Sequence, residues 1–195
     1  ESQTGGGGAV RSGGGFLCVA AWEFRGGDGD GEMGTPVLHK EDLVYERMDT
    51  FEDELLRAVR ERPEGETPLR AFVRFILDRS DTAMAGDGGR RVAELTQLVT
   101  ASPSLTAREL QIVAKYTDAL ATLLAEETGA GPDDIEPRLA AEAMMAFHRS
   151  LVDFARRRAR SRKSSADLAA EIRAAGERAL ELLERRLPDY AKTSA

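Results

Sequence analysis

The sequence predicts an all-α protein with an irregular, glycine-rich opening segment, and three observations carry that prediction. Apolar residues recur at three- and four-residue steps from Lys40 to Leu187, the spacing that lines one face of a helix. Strand-type alternation is nearly absent over the same stretch. Twelve of the nineteen glycines fall in residues 1–34, and each glycine inside a helix costs about 1 kcal/mol relative to alanine. The division falls near His39, giving a segment 1–38 that cannot hold long helices and a helical domain over 39–192.

Within the opening segment, Gly15–Phe24 is the one stretch with a possible extended piece. Asp28-Gly-Asp-Gly31 has half the pattern of a calcium loop but lacks the downstream bidentate glutamate, so it reads as a solvated turn. The first helix is expected over Lys40–Arg62, with Leu43, Val44, Met48, Phe51, Leu55, Leu56 and Val59 on one face, and Pro63 and Gly65 stop it. The second opens with Thr67 as N-cap and Pro68 at the first helical position. It carries Leu69, Phe72, Val73, Ile76 and Leu77 inward until Asp81–Gly89 breaks it. A short third helix spans Arg90–Thr100, and Ser102-Pro-Ser104 turns into a fourth over Leu105–Thr128, with Leu110, Val113, Tyr116, Leu120, Leu123 and Leu124 inward. The fifth runs from Glu136 to Arg160, and the sixth starts after a serine cap at 164 or 165 and ends before Pro188.

The fifth helix is apolar nearly all round from Leu139 to Ala155 and ~37 Å long at 1.5 Å per residue. Such a helix needs cover on two sides. The sixth carries a broad band from Leu168 to Leu187, with Ala174-Ala-Gly176 leaving room for a close neighbour. Pairing these two helices with those of a second copy would make a four-helix bundle across a two-fold axis. The residues expected at that interface are Leu139, Ala143, Phe147, Leu151, Phe154, Ile172, Gly176, Ala179 and Leu183. A monomeric bundle closed by the same two helices is the alternative.

His39-Lys-Glu-Asp-Leu-Val-Tyr45 resembles the opening of the first regulatory helix in TetR-type transcriptional regulators. Phe51-Glu-Asp-Glu-Leu-Leu56, Glu61-Arg-Pro-Glu-Gly65, Ala101-Ser-Pro-Ser-Leu105, Leu120–Gly129 and Ala130-Gly-Pro-Asp-Asp134 follow in the order of that family's regulatory portion. The resemblance covers 39–192. It implies an all-α domain that senses a ligand and dimerises through its last two long helices. It also implies a three-helix DNA-reading module upstream, yet Met33-Gly-Thr-Pro-Val-Leu38 has no aromatic recognition helix. Residues 1–38 hold two cations, Arg11 and Arg25, against five acids, too little positive charge to hold a phosphate backbone. An out-of-frame stretch of a GC-rich gene and a natural loss of the reader both fit that text.

Composition bounds the rest. The chain has 195 residues, is 42% apolar and carries a formal charge of −7; this suits one domain with an appendage and argues against a protein that coats nucleic acid. Cys18 stands alone, so no internal disulfide forms. No apolar run approaches the ~20 residues that cross a bilayer, and Phe16–Ala21 lacks the flanks of a secretory signal. The expected setting is the cytoplasm, with no membrane partner. Two histidines, His39 and His148, and one distant cysteine offer no metal site and no catalytic dyad with an orienting group. No Gly-x-x-x-x-Gly-Lys phosphate loop occurs, so no cofactor and no enzymatic activity are expected.

His148 can share a helical face with Met144 and Val152. Phe72, Phe75, Met84, Leu95, Tyr116, Met144, Met145 and His148 are candidates for the wall of a cavity holding a small, mostly hydrophobic effector, since such sites are apolar with a few polar groups; methionine adapts to varied shapes. The basic run Arg156–Arg160, with Arg162 and Lys163, reads as a solvated helix end, where cations complement the helix dipole. The function expected is a TetR-like regulator, a repressor that binds an effector and dimerises, with a DNA operator as partner only where a DNA-binding module is present. The alternative is a helical dimer unable to bind DNA, which takes only a ligand or a protein partner.

Overall fold

The computed structural model describes residues 48–161 and 164–184. The opening segment 1–38, His39, the first turns of the first predicted helix, Arg162, Lys163 and Leu187 lie outside the described residues. Among those described there are six α-helices and no strand: α1 (Met48–Arg60), α2 (Pro68–Met84), α3 (Gly88–Ala101), α4 (Pro103–Thr128), α5 (Glu136–Ala159) and α6 (Ser165–Glu184).

Local chemistry sets most boundaries. Thr67 Oγ1 accepts a hydrogen bond from the Arg70 amide, and Pro68 starts α2, where its missing N–H costs nothing. Ser102 does the same for α4, accepting from the Leu105 amide ahead of Pro103. Ser164 caps α6 by accepting from the Asp167 amide, while its hydroxyl donates to the Asp167 carboxylate. Gly129, at φ +65°, closes α4 in the left-handed conformation that only glycine adopts without strain.

One boundary departs from the sequence expectation. Asp81–Met84 continue α2, and Gly88 and Gly89 belong to the first turn of α3. Ala83 and Met84 are buried, and that burial extends the helix past the polar residues. The break is confined to Ala85–Asp87, where Gly86 takes φ +63°.

α5 lies at the centre, against α2, α3, α4 and α6. Its buried residues, among them Ala140, Ala141, Met144, Met145, Phe147, His148, Leu151, Val152 and Ala155, form one continuous face about half the helix round, and the opposite face is exposed or partly so. Part of the apolar perimeter is thus covered within the chain, while Leu139 and Ala146 stay exposed and Ala143 and Phe154 half-buried. The close neighbour admitted by Gly176 is α2: a Cβ there would meet Leu77 Cδ2 at 2.5 Å. α6 is held to α2 by the Arg173 guanidinium, which donates to Asp81 at 2.8 and 2.5 Å and to Asp78 at 2.9 Å.

Arg62 ties one end of the bundle. Its side chain is 8% exposed and forms an ion pair with Glu127 at 2.8 Å. It also donates to the carbonyls of Val59 and Glu66 at 2.8 and 3.0 Å.

Candidate functional site

The main hydrophobic cluster brings together Phe51 and Leu55 of α1, Phe72, Ile76 and Met84 of α2, Tyr116 and Leu120 of α4, and Met144 and Met145 of α5. Each arrives by helical periodicity. Phe72 and Ile76 stand one turn apart, as do Tyr116 and Leu120, and Met144 begins the inward row that continues through His148.

Of the residues proposed to wall an effector cavity, Phe72, Met84, Tyr116, Met144 and Met145 are buried members of this cluster, and Phe75 packs against it partly exposed. Leu95 is not one of them. It is buried in a separate small cluster with Val99, against which Leu105 packs, while Val92, one turn earlier, joins the main cluster. Leu110, expected inward, is 62% exposed.

Two sets of ring contacts organise the site. The Phe51 ring stands 5.5 Å from Phe75 and 5.3 Å from Tyr116, centroid to centroid. The Phe72 ring meets Phe147 edge-on at 6.4 Å. Pairs in this range add about 0.5–1.5 kcal/mol beyond the area they bury. Phe51 was legible only as a core position of α1, since nothing in its spacing distinguishes it from Leu55. Its placement between rings from α2 and α4 comes from tertiary packing.

His148 is the polar member of the region. It is 7% exposed, and its pKa falls from the ordinary value to about 4; burial is the main cause, and the nearby positive charges of Arg149 and Arg156 add to it. The ring is neutral at pH 7. A neutral imidazole keeps both a donor and an acceptor, the single titratable side chain buried among apolar neighbours on α5.

Of the nine residues expected at a dimer interface, Phe147, Leu151, Ile172 and Gly176 are buried inside the chain. Leu139 is 57% exposed, and Ala143, Phe154, Ala179 and Leu183 are partly exposed. Leu182, 59% exposed, adds to them. α5 and α6 follow one another along the chain and pack side by side, so these exposed positions lie on neighbouring helices. Among the described residues no group of histidine, cysteine and acid side chains could hold a metal, and no helix is long and apolar enough to cross a membrane.

Residues 69–188, more than half of the chain, match the family model described as the MftR C-terminal domain, a C-terminal domain of TetR-type regulators. The chain belongs to the TetR family. The matched region takes in α2 through α6 and with them all the proposed cavity and interface residues. No curated protein and no solved structure matches the chain. The TetR-family domain is thus regulatory in type, with α5 at its centre and the aromatic and methionine residues of α2, α4 and α5 around it.

Proposed function

We propose that this TetR-family domain, spanning 39–192, is the sensing and pairing part of a transcriptional repressor. A small, mostly hydrophobic effector would bind among Phe72, Phe75, Tyr116, Met144, Met145 and His148. The observation that carries this reading is the neutral, buried His148 set one turn from Met144 in the helix that packs against four others. Apolar walls give affinity there, and a neutral imidazole gives orientation without the cost of desolvating a charge. Leu95 belongs to the expectation but stands apart from this group.

The pairing surface would be the exposed remainder of α5 and α6: Leu139, Ala143, Phe154, Ala179, Leu182 and Leu183. Phe147, Leu151, Ile172 and Gly176 would support it from beneath. Effector binding acts on a regulator only through different affinity for two arrangements of the pair. A cytoplasmic protein without enzymatic activity fits this reading, and DNA is a partner only where a DNA-reading module accompanies the domain.

Thermal denaturation against a set of small aromatic and aliphatic compounds tests the effector site. A compound at a hundred times its Kd raises stability by about 2.7 kcal/mol. The rise should vanish in Met144→Ala and shrink in His148→Leu. Compounds that stabilise the wild type and both variants equally would place the effector elsewhere.

A further inference from the structure

The rings beside the proposed effector site adjoin an arginine whose hydrogen-bonding capacity is only partly used. Phe51 and Glu54 stand about one turn apart on α1, and Phe75 and Arg79 one turn apart on α2, so each pair shares a helix face. The Phe51 ring meets Phe75 at 5.5 Å and Tyr116 at 5.3 Å. The Arg79 guanidinium lies over that same Phe51 ring, 6.0 Å from its centre. Arg79 Nη1 reaches Glu54 at 3.1 Å, and the two side chains are 24% and 32% exposed. Arg79 Nε, in contrast, is buried and has no acceptor among the described residues.

A buried N–H without an acceptor costs stability that an incoming acceptor would restore. Other arginines of this chain show what the edge beside Nε takes. On the same helix, Arg74 grips Glu66 through Nε and Nη2, at 3.1 and 2.9 Å, one oxygen to each nitrogen. Arg62 gives its Nε to the Glu66 carbonyl at 3.0 Å. Arg173 turns Nε and Nη2 to Asp81 and also reaches Asp78, so a single guanidinium in this fold already serves two carboxylates. Glu54 on Nη1 therefore does not use up Arg79.

We infer that Arg79 binds an anionic head on the effector, a carboxylate held by two hydrogen bonds donated from Nε and Nη2. The apolar body of the ligand then lies against Phe51, Phe75 and Tyr116, and the ligand class is a small aryl or alkyl carboxylate. A carboxylate buried alone would be costly to desolvate. Beside a partly exposed guanidinium it keeps some contact with water, and the forked, charge-assisted bonds repay the rest. This role for Arg79 rests on the effector reading and specifies the polar end of the ligand.

Calorimetric titration of the full chain at neutral pH with matched acids and amides tests it. The probes are phenylacetate, phenylbutyrate and phenylhexanoate, each beside its primary amide, which keeps the body and removes the charge. In at least one pair the acid should bind about tenfold or more tighter than the amide, the worth of hydrogen bonds to a charged group. Arg79→Met should bring that ratio to within about twofold, chiefly by weakening the acid. Arg79→Lys keeps the charge without the fork and should retain only part of the ratio. It also carries the test if circular dichroism shows Arg79→Met unfolded.

Amides that bind and lose affinity in Met144→Ala, with acids binding no better than they do, would keep the effector site and overturn the role of Arg79. An acid preference that survives Arg79→Met would overturn it too, since the carboxylate would then lie elsewhere. So would a preference undiminished in Arg79→Lys, because a bare charge would suffice. Binding by neither acid nor amide in all three pairs would overturn the effector site and the role of Arg79 together.

Discussion

α5 and α6 look alike in sequence, two long helices rich in alanine, yet the fold covers them to different extents. α5 buries a continuous face, about half the way round, against four neighbouring helices. α6 buries one narrow row, Leu168, Ile172 and Gly176, and leaves Leu182 exposed and Ala175, Ala179, Leu180 and Leu183 half covered. Apolar composition thus reports that a helix needs cover. It does not report whether the cover comes from the same chain. For most apolar positions of α5 it does, though Leu139 and Ala146 stay exposed, and for α6 much of the band is still open.

The largest expected effects test the enclosure of α5. Phe72→Ala removes the ring that meets Phe147 in the 0%-exposed core and should destabilise the fold by about 3–5 kcal/mol in denaturant unfolding. A loss under about 1 kcal/mol would mean that α2 and α5 are not packed as described.

His148 gives the next largest. Its folded pKa, about 4, lies below the ordinary 6.5, so the unfolded chain takes up the proton first. Stability is therefore complete above pH 6.5 and falls as the pH drops toward 4, by about 3 kcal/mol from this group alone. Unfolding curves from pH 7 to 4 should flatten in His148→Leu relative to the wild type, and parallel curves would place the imidazole in water.

Gly176→Ala probes the contact of α6 with α2. The new Cβ would stand 2.5 Å from Leu77 Cδ2, and overpacking of this kind costs about 1–3 kcal/mol. Trimming the neighbour with Leu77→Ala should make the alanine at 176 much less costly, a coupling that a double-mutant cycle reads directly. The smallest effect on folding belongs to Leu182→Ser, within about 0.5 kcal/mol for an exposed site. If the open band of α6 pairs two copies, the same change should lower the association constant in sedimentation equilibrium while leaving the melting of the single chain alone.

Much of this architecture was readable from residues whose effects are local. Thr67-Pro68, Ser102-Pro103 and Gly129 state helix ends in their own backbone chemistry, and the structure places ends there. The tail of α2 was not readable, because Asp81 looks like a breaker until Ala83 and Met84 are seen buried behind it. Leu110 was misjudged for a related reason: periodicity marks a face of α4 without saying how far the neighbouring helices extend along it. Among the cavity candidates, Phe72, Tyr116, Met144 and Met145 meet because each sits on the inward stripe of a long helix. Leu95 does not: it packs with Val99 and Leu105, while Val92 of the same helix reaches the main cluster. Phe51 joins the rings of Phe75 and Tyr116 through contacts that no spacing along the chain encodes.

The guanidinium of Arg62 has a mechanical corollary. One end of α1 is pinned by directional bonds to two carbonyls and a carboxylate, whereas the opposite end rests on the Phe51 ring contacts and on an ion pair of Glu52 with the half-exposed Lys115, a weaker fastening. A rod fastened so unequally pivots more readily than it slides. Over the roughly 20 Å length of thirteen helical residues, a tilt of about 5° sweeps the Met48 terminus through about 2 Å.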